Sequence, residues 1–382
     1  MKKLKVMSIF GTRPEASKMA PVIKELEKHE NIESVVCVTA QHREMLDQTL
    51  QIFKLIPNYD LNIMKEGQTL TDITTRAIKG IEKVLTEEQP DIVLAHGDTS
   101  TTFAASLAAF YALKKVGHVE AGLRTFDKYQ PFPEEMNRKL TCALADLHFS
   151  PTGLAKQNLL NEGVRDDIIF VTGNTAIDAI QSTVREDYVF GLDALNNIDF
   201  KNNKIIVMTA HRRENIGEPL DQICRAAKRI VESNKDVLIV YAVHFNPLVR
   251  ASANKILGDC ERVLLTDPIE MQDMHNLMVR SYLILTDSGG LQEEAPALNK
   301  PVIVLRNVTE RPEGITAGTL KLAGTDEDKI FEIATELLND KALYEKMANA
   351  KNPFGDGNAA KRIVEAILFH FGYSENRPID FI

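Results

Sequence analysis

Short apolar runs rich in β-branched residues alternate with amphipathic helical patterns along nearly all of the 382 residues. That alternation leaves few folds open. In the first half the runs fall at 4–10, 34–39, 91–95, 116–119, 146–149 and 168–171; in the second, at 205–209, 237–243, 263–266, 282–286, 301–305 and 320–322. Between them lie helical segments such as 18–29, with Met19, Val22, Ile23 and Leu26 on one face. Strands joined through helices run parallel, and the helices cover both faces of the sheet. The weakly patterned polar stretch 184–203 separates the two sets. The expectation is an α/β protein of two Rossmann-like, doubly wound domains meeting across a cleft at the strand ends. The expected extents are 1–172 for the first domain, joined by the C-terminal helical segment 359–382, and 173–358 for the second.

A net charge of −9 speaks against binding to a nucleic-acid backbone, although a local basic cluster would suffice for a phosphate-bearing small ligand. The four cysteines are scattered, without CxxC or Cys/His spacing, so neither a disulfide framework nor a metal site is expected. The basic, apolar start passes at once into Arg13, Glu15 and Lys18 and reads as a first strand, not a leader. No apolar run approaches the ~20 residues of a membrane span. A cytoplasmic protein with neither nucleic-acid nor membrane partner is expected.

Ligands of doubly wound domains sit beyond the carboxyl ends of the strands, so the residues there carry the functional reading. After 282–286 come Asp287, Ser288, Gly289 and Gly290, with a helix expected over 291–298. A glycine pair at such a junction lets a ligand reach unpaired helix N–H groups, which favours an anion; an ordinary tight turn is the alternative. After the first strand, Gly11 leads to Arg13 and Lys18 at a helix start, with Pro14 suited to the first helical position. The run is not GxGxxG, so no dinucleotide fingerprint is present. Asp98 follows the third strand and is equally suited to cap the next helix. Glu120 directly follows a buried strand, where a carboxylate needs a partner or a function. Glu134 and Glu135 open a helix whose dipole would favour them in any case. His211 and His244 each follow a strand, and Arg311 lies beyond the one after the glycine pair.

The ordered motifs GTRPEASKMAP, TAQHREMLDQ, HGDTSTT, GHVEAGLRT, PFPEEMNR, FVTGNTAIDA, TAHRREN, TDSGGLQEEAP and TERPEGI run from about residue 4 to beyond 365. Together they resemble the bacterial non-hydrolysing UDP-N-acetylglucosamine 2-epimerases. The resemblance implies a GT-B fold, a cytoplasmic homodimer, no cofactor, and reversible conversion of UDP-N-acetylglucosamine to UDP-N-acetylmannosamine for surface-polysaccharide or teichoic-acid linkage synthesis. By motif match Asp98, Glu120, Glu134 and His211 fall on catalytic positions. Arg13, Lys18, His244, Ser288, Gly289, Gly290, Glu294 and Arg311 fall on nucleotide-sugar contacts, with Glu294 toward the ribose. Met274 stands near the uracil, where relatives carry phenylalanine. Gln41, Glu134, Arg212 and His244 match positions that hold a second, activating UDP-N-acetylglucosamine. The chain departs there at Glu44 and Gly67, where some relatives carry glutamine and arginine.

The chemistry calls for such groups. The hydrogen on the carbon bearing the acetamido group has no adjacent carbonyl, so direct deprotonation is prohibitive. Elimination of UDP to a 2-acetamidoglucal, then re-addition, is the route the family is understood to take. It needs charge stabilisation at the departing diphosphate and acid–base groups able to serve both sugar faces. Asp98, Glu120 and Glu134 are expected to share the proton work, and His211 to aid the leaving phosphate. A hydrolysing epimerase, a GT-B glycosyltransferase and a non-catalytic nucleotide-sugar sensor remain alternatives.

Overall fold

The computed structural model describes residues 3–41 and 43–382; Met1, Lys2 and His42, the last within the TAQHREMLDQ motif, lie outside the described residues. The chain forms two compact units, one running to Ser182 and completed by Phe354–Ile382, the other spanning Thr183–Pro353. The first unit thus continues ten residues past the expected limit at 172, and the return to it begins at Phe354, ahead of the C-terminal helix.

The first unit holds strands β1 (Leu4–Phe10), β2 (Ile32–Val38), β3 (Tyr59–Asp60), β4 (Ile92–His96), β5 (Lys115–Val119), β6 (Leu147–Ser150) and β7 (Ile169–Val171). They make one parallel sheet in the order β3-β2-β1-β4-β5-β6-β7. Alternate residues of β1 serve opposite faces, as the strand period requires. Val6 and Phe10 pack with Met19, Ile23, Ile363 and Ile367, while Met7 and Ile9 pack with Ile81, Leu85 and Ala104. Burying each large aliphatic side chain contributes roughly 1.5–3 kcal/mol, and β1 is apolar on both faces apart from Lys5 and Ser8. Strand β3 escaped the sequence reading because it has two residues, held through Cys37↔Tyr59 and Val38↔Asp60, with no apolar run of its own.

The second unit holds β8 (Lys204–Thr209), β9 (Val237–Ala242), β10 (Val263–Thr266), β11 (Leu283–Thr286), β12 (Val302–Val304) and β13 (Leu320–Leu322). Their order is β10-β9-β8-β11-β12-β13, again parallel. Leu220, Ile223, Ala227 and Ile230 of the helix Glu218–Ser233 recur at helical spacing and pack on Ile206, Met208, Ile239 and Tyr241.

In each sheet the winding reverses between two neighbouring strands: β1 and β4 in the first, β8 and β11 in the second. A doubly wound sheet opens a crevice at the carboxyl ends of such a pair. Two helix starts differ from expectation there. The helix expected over 18–29 runs instead Arg13–Leu26, because Thr12 and Glu15 form a capping box five residues upstream. The helix expected over 291–298 runs Gly289–Ala297, so both glycines lie in its first turn and not before it. Among the described residues no helix is long and apolar enough to cross a membrane, and no group of three His, Cys, Asp or Glu could hold a metal ion.

Candidate active site

In the first unit the crevice beside β1 and β4 is a cavity of about 370 Å³ whose wall includes Arg13, Gln41, Asp98 and Glu134. Two residues of its wall, Thr12 and Thr99, are held by Glu15, which the sequence reading left without a role. Glu15 is 2 % exposed. Its Oε2 accepts from the backbone N–H of Gly11 (3.0 Å) and Thr12 (2.8 Å). Its Oε1 accepts from the hydroxyls of Thr99 (2.7 Å) and Thr102 (3.1 Å). One carboxylate thus ties the β1 turn to the β4 turn, and burial still pushes its pKa above the ordinary range. Gly11 is required by contact: a Cβ there would lie 2.1 Å from Thr39 Oγ1 and 2.6 Å from Thr101 Oγ1. Thr101 in turn donates to Gln41 Oε1 at 3.1 Å.

Asp98 is not the helix cap. That role belongs to Thr99, whose hydroxyl accepts from Thr102 N in front of the helix Ser100–Tyr111. The Asp98 carboxylate instead meets Arg138 Nη2 at 2.6 Å, and its carbonyl accepts from Asn137 Nδ2 at 2.9 Å. Both partners come from the helix Glu134–Leu144. Within that helix the two leading acids divide. Glu135 is fully buried and holds the preceding loop, accepting from Thr125 N and Phe126 N at 3.1 Å each and from Arg138 Nη1 at 3.2 Å. Glu134 lines the cavity, and its buried Oε2 has no hydrogen-bond partner among the described residues.

Glu120 sits just past β5 with φ +64°, a left-handed conformation that a side chain of this size rarely adopts. Its neighbours enforce it: Gly97 N donates to Val119 O (2.9 Å) and Ala121 N to Phe149 O (3.0 Å). The carboxylate is thereby turned toward the β4 end, where a Cβ on Gly97 would lie 3.7 Å from its Oε1. Lys18 forms an ion pair with Oε2, and Asn174 Nδ2 donates to the same oxygen at 3.0 Å. Lys18, expected at a nucleotide-sugar contact, is thus engaged with an acid of its own unit. His96 Nε2 lies 3.9 Å from Glu120 Oε2, and neither of its ring nitrogens has a hydrogen-bond partner among the described residues. Burial lowers its pKa to about 4, so the ring is neutral at neutral pH.

The second unit gathers the remaining candidates beside β8 and β11. The rings of His211 and His244 stack with centroids 5.1 Å apart. His244 Nδ1 accepts from Asn246 N at 3.0 Å, which puts the proton of a neutral ring on Nε2. At the glycine pair neither φ is positive, so what the missing side chains provide is access, not a turn. A Cβ on Gly289 would lie 3.6 Å from Arg311 Nη2 and 3.8 Å from Arg212 Nη2. Two cations beside the positive end of a helix are adverse alone and favourable once an anion sits among them. Arg311 is aimed by an ion pair with buried Glu293, and Ser288, the residue before the helix, is held through its N–H to Thr286 Oγ1 at 2.9 Å. Glu294 Oε2 lies 3.7 Å from His275 Nε2. Met274 is half-buried on the helix Met271–Arg280, one residue before that histidine.

The two departures noted above have local settings. Glu44 opens the helix Glu44–Ile52. Gly67 has φ +67° with open space around it, a backbone that favours glycine over an arginine. Sequence reasoning missed Glu15, His96, Arg138, Asn174 and Asp287 as site residues. All lie within motifs already singled out, but their type did not tell what they would touch.

A family model described as UDP-N-acetylglucosamine 2-epimerase matches residues 24–368. The chain is 58 % identical over 382 residues to a UDP-N-acetylglucosamine 2-epimerase of Bacillus subtilis, covering 100 % of this chain and 99 % of that one. It is also similar to a solved structure of a putative UDP-N-acetylglucosamine 2-epimerase from Listeria monocytogenes, with TM-score 0.94, 56 % identity and full coverage of both chains. The S. aureus MnaA–UDP co-structure matches with TM-score 0.88 and 50 % identity, again over the whole of both chains.

Proposed function

The chain belongs to the UDP-N-acetylglucosamine 2-epimerase family and inverts carbon 2 of that nucleotide sugar, and we propose that it does so without net hydrolysis, by elimination of UDP and its re-addition. The observation that carries this reading is the set of acids in the first unit. Asp98 and Glu134 share one cavity, and Glu120 is turned toward the same β4 end by a strained backbone. Glycosyl transfer alone has no use for three such acids, whereas moving a hydron off one sugar face and onto the other does.

In the proposed cycle one carboxylate takes the hydrogen from carbon 2 as the bond from carbon 1 to the phosphate oxygen breaks, giving 2-acetamidoglucal and UDP. A second acid then delivers a proton to the opposite face while UDP adds back at carbon 1. Glu134, with an unpartnered oxygen, and Glu120, beside the Lys18 ammonium, are the strongest candidates for the exchange. Arg212, Arg311 and the helix start at Gly289 fit the diphosphate, and His211 is assigned to its departure. Each preorganised donor there is worth about 3 kcal/mol at the transition state. We assign the protein to the cytoplasm, in keeping with its four unpaired cysteines. A second copy of the chain is the proposed partner, and the exposed Phe110, Tyr111 and Leu113 are apolar surface that supports it.

The test is turnover of UDP-N-acetylglucosamine in deuterium oxide, followed by proton NMR. Deuterium at carbon 2 of both epimers, without free N-acetylmannosamine accumulating, is expected. Free sugar rising in step with UDP overturns the non-hydrolysing reading, and retention of the original hydrogen overturns the elimination. Asp98→Asn and Glu120→Gln are each expected to lower kcat by about 10²-fold or more with UDP affinity kept.

A further inference from the structure

Asp287 precedes the glycine-pair helix, and its carboxylate does not face the ligand-accessible side of that turn. It is fully buried and reaches across from β11 to the loop after β8. Oδ2 accepts three hydrogen bonds: from His211 N at 2.7 Å, Arg212 N at 2.7 Å and Asn215 Nδ2 at 3.0 Å. Its carbonyl accepts a fourth, from Arg212 Nε at 3.3 Å. The other carboxylate oxygen, Oδ1, is buried without a partner among the described residues. Asn215 completes the clamp by donating to Leu305 O at 3.1 Å, beyond the end of β12.

This is a heavy commitment of one acid to one loop. Two consecutive backbone N–H groups on a single oxygen fix the direction in which residues 211 and 212 leave β8. The direction of the His211 side chain is fixed with them, and so is the approach of the Arg212 guanidinium to Gly289. The same residue starts the turn that carries Ser288, Gly289 and Gly290. A rigid carboxylate therefore makes the anion platform and the histidine loop one body. Leaving a buried carboxylate with an unused oxygen is unfavourable for stability. Such a group is kept where the geometry it imposes serves another purpose.

We infer that Asp287 is a positioning residue for the epimerisation, acting through His211: it sets the imidazole against the phosphate that leaves and returns at the glycine-pair helix. The inference rests on the assignment of His211 to phosphate departure, and it names the group that makes that assignment work. A residue that acts only through His211 has nothing left to contribute once His211 is gone, whereas a residue that merely supports the fold goes on contributing.

The experiment is a double-mutant cycle on the full-length chain with Asp287→Asn, His211→Asn and the double variant. It reads kcat, KM and UDP affinity by calorimetry, with a thermal melt on each. Asparagine keeps the size of the side chain but removes the charge that strengthens its hold on the two backbone donors, so the loop can shift. Asp287→Asn is expected to lower kcat about 10- to 100-fold, the effect of displacing a reacting group by a fraction of an ångström to 1 Å. KM and UDP affinity should stay within about threefold, since the substitution leaves the Asp287 carbonyl that accepts from Arg212 Nε, and the Gly289 helix start, in place. Added to His211→Asn, the same change should lower kcat by less than about twofold. Multiplying losses in the double variant, or an unchanged kcat in Asp287→Asn, overturns the inference. Unchanged kcat in His211→Asn would instead sink the role given to His211 itself, so the two failures are distinct. If Asp287→Asn does not fold, Asn215→Ala, which removes only the third donor and the tie to Leu305, is read in the same cycle with the same outcomes.

Discussion

Asp178 offers a stability measurement whose sign and size both follow from the structure. It lies nine-tenths buried on the helix Thr175–Thr183 and caps the C-terminal helix Ala359–His370, accepting from Ala359 N at 3.3 Å and Ala360 N at 2.9 Å. Burial raises its pKa from 3.8 to about 6 against the pull of those two donors, and the nearby Asp356 adds repulsion. A folded pKa above the unfolded one means that the neutral acid is the form the fold prefers. Its stabilising contribution is complete below about pH 4 and is lost as pH rises through 6. A rise of that size corresponds to ~3 kcal/mol between the charged and neutral forms. Asp178→Asn mimics the neutral acid at every pH, with an amide N–H facing Ala359 N at a cost of about 1–2 kcal/mol. The variant should therefore exceed the parent by ~1–2 kcal/mol at pH 7.5. By pH 5 the parent should have recovered ~1.4 kcal/mol of the difference as Asp178 takes up its proton. Urea denaturation of both proteins at the two pH values gives the comparison. An asparagine variant less stable than the parent at pH 7.5, or a difference that does not change with pH, would refute the account of burial prevailing over the cap.

Two further substitutions probe the first unit's crevice. Gly11→Ala puts a methyl group within 2.1 Å of Thr39 Oγ1, so the Thr39–Thr101–Gln41 chain must shift; a loss of about 1–3 kcal/mol is expected, and an unchanged melting temperature would show the crevice to be looser than its contacts imply. Arg138→Met removes the cation from both Asp98 and buried Glu135, so kcat should fall at least about tenfold while UDP affinity, which is assigned chiefly to the Gly289 helix start, holds; turnover within twofold of the parent would separate Asp98 from any role that depends on its ion pair.

The architecture was legible because buried parallel strands leave short apolar runs bounded by turn residues, and among the described residues twelve of the thirteen strands lie within a residue or two of such a run. The helix starts were harder. Periodicity marks the middle of a helix, whereas its beginning is decided by one or two capping groups, as Thr12 and Glu15 decide it here. The strand ends that border each crevice were legible as well, since the doubly wound order fixes them.

What the residue types withheld was the division of labour among the acids. Glu15, Glu135, Asp178 and Asp287 stand in the same ordered set of motifs as Asp98, Glu120 and Glu134, and Glu135 is the immediate neighbour of Glu134. The structure separates them by what they accept. The first four each accept from two backbone N–H groups and act as buried clamps on turns, loops and helix starts. The other three meet side-chain cations, or leave an oxygen unpartnered beside the cavity. A backbone amide cannot leave its acceptor without unfolding the turn it belongs to, so a clamped carboxylate is poorly placed to take up a proton during turnover. A lysine or arginine can swing, and an unpartnered oxygen on a carboxylate that lines the cavity, as at Glu134, is ready at once. Proton transfer in this fold should therefore be confined to acids of the second kind. On that argument, replacing a clamp by its amide should move stability or the position of a neighbour, and replacing Asp98, Glu120 or Glu134 should move the solvent-deuterium incorporation itself.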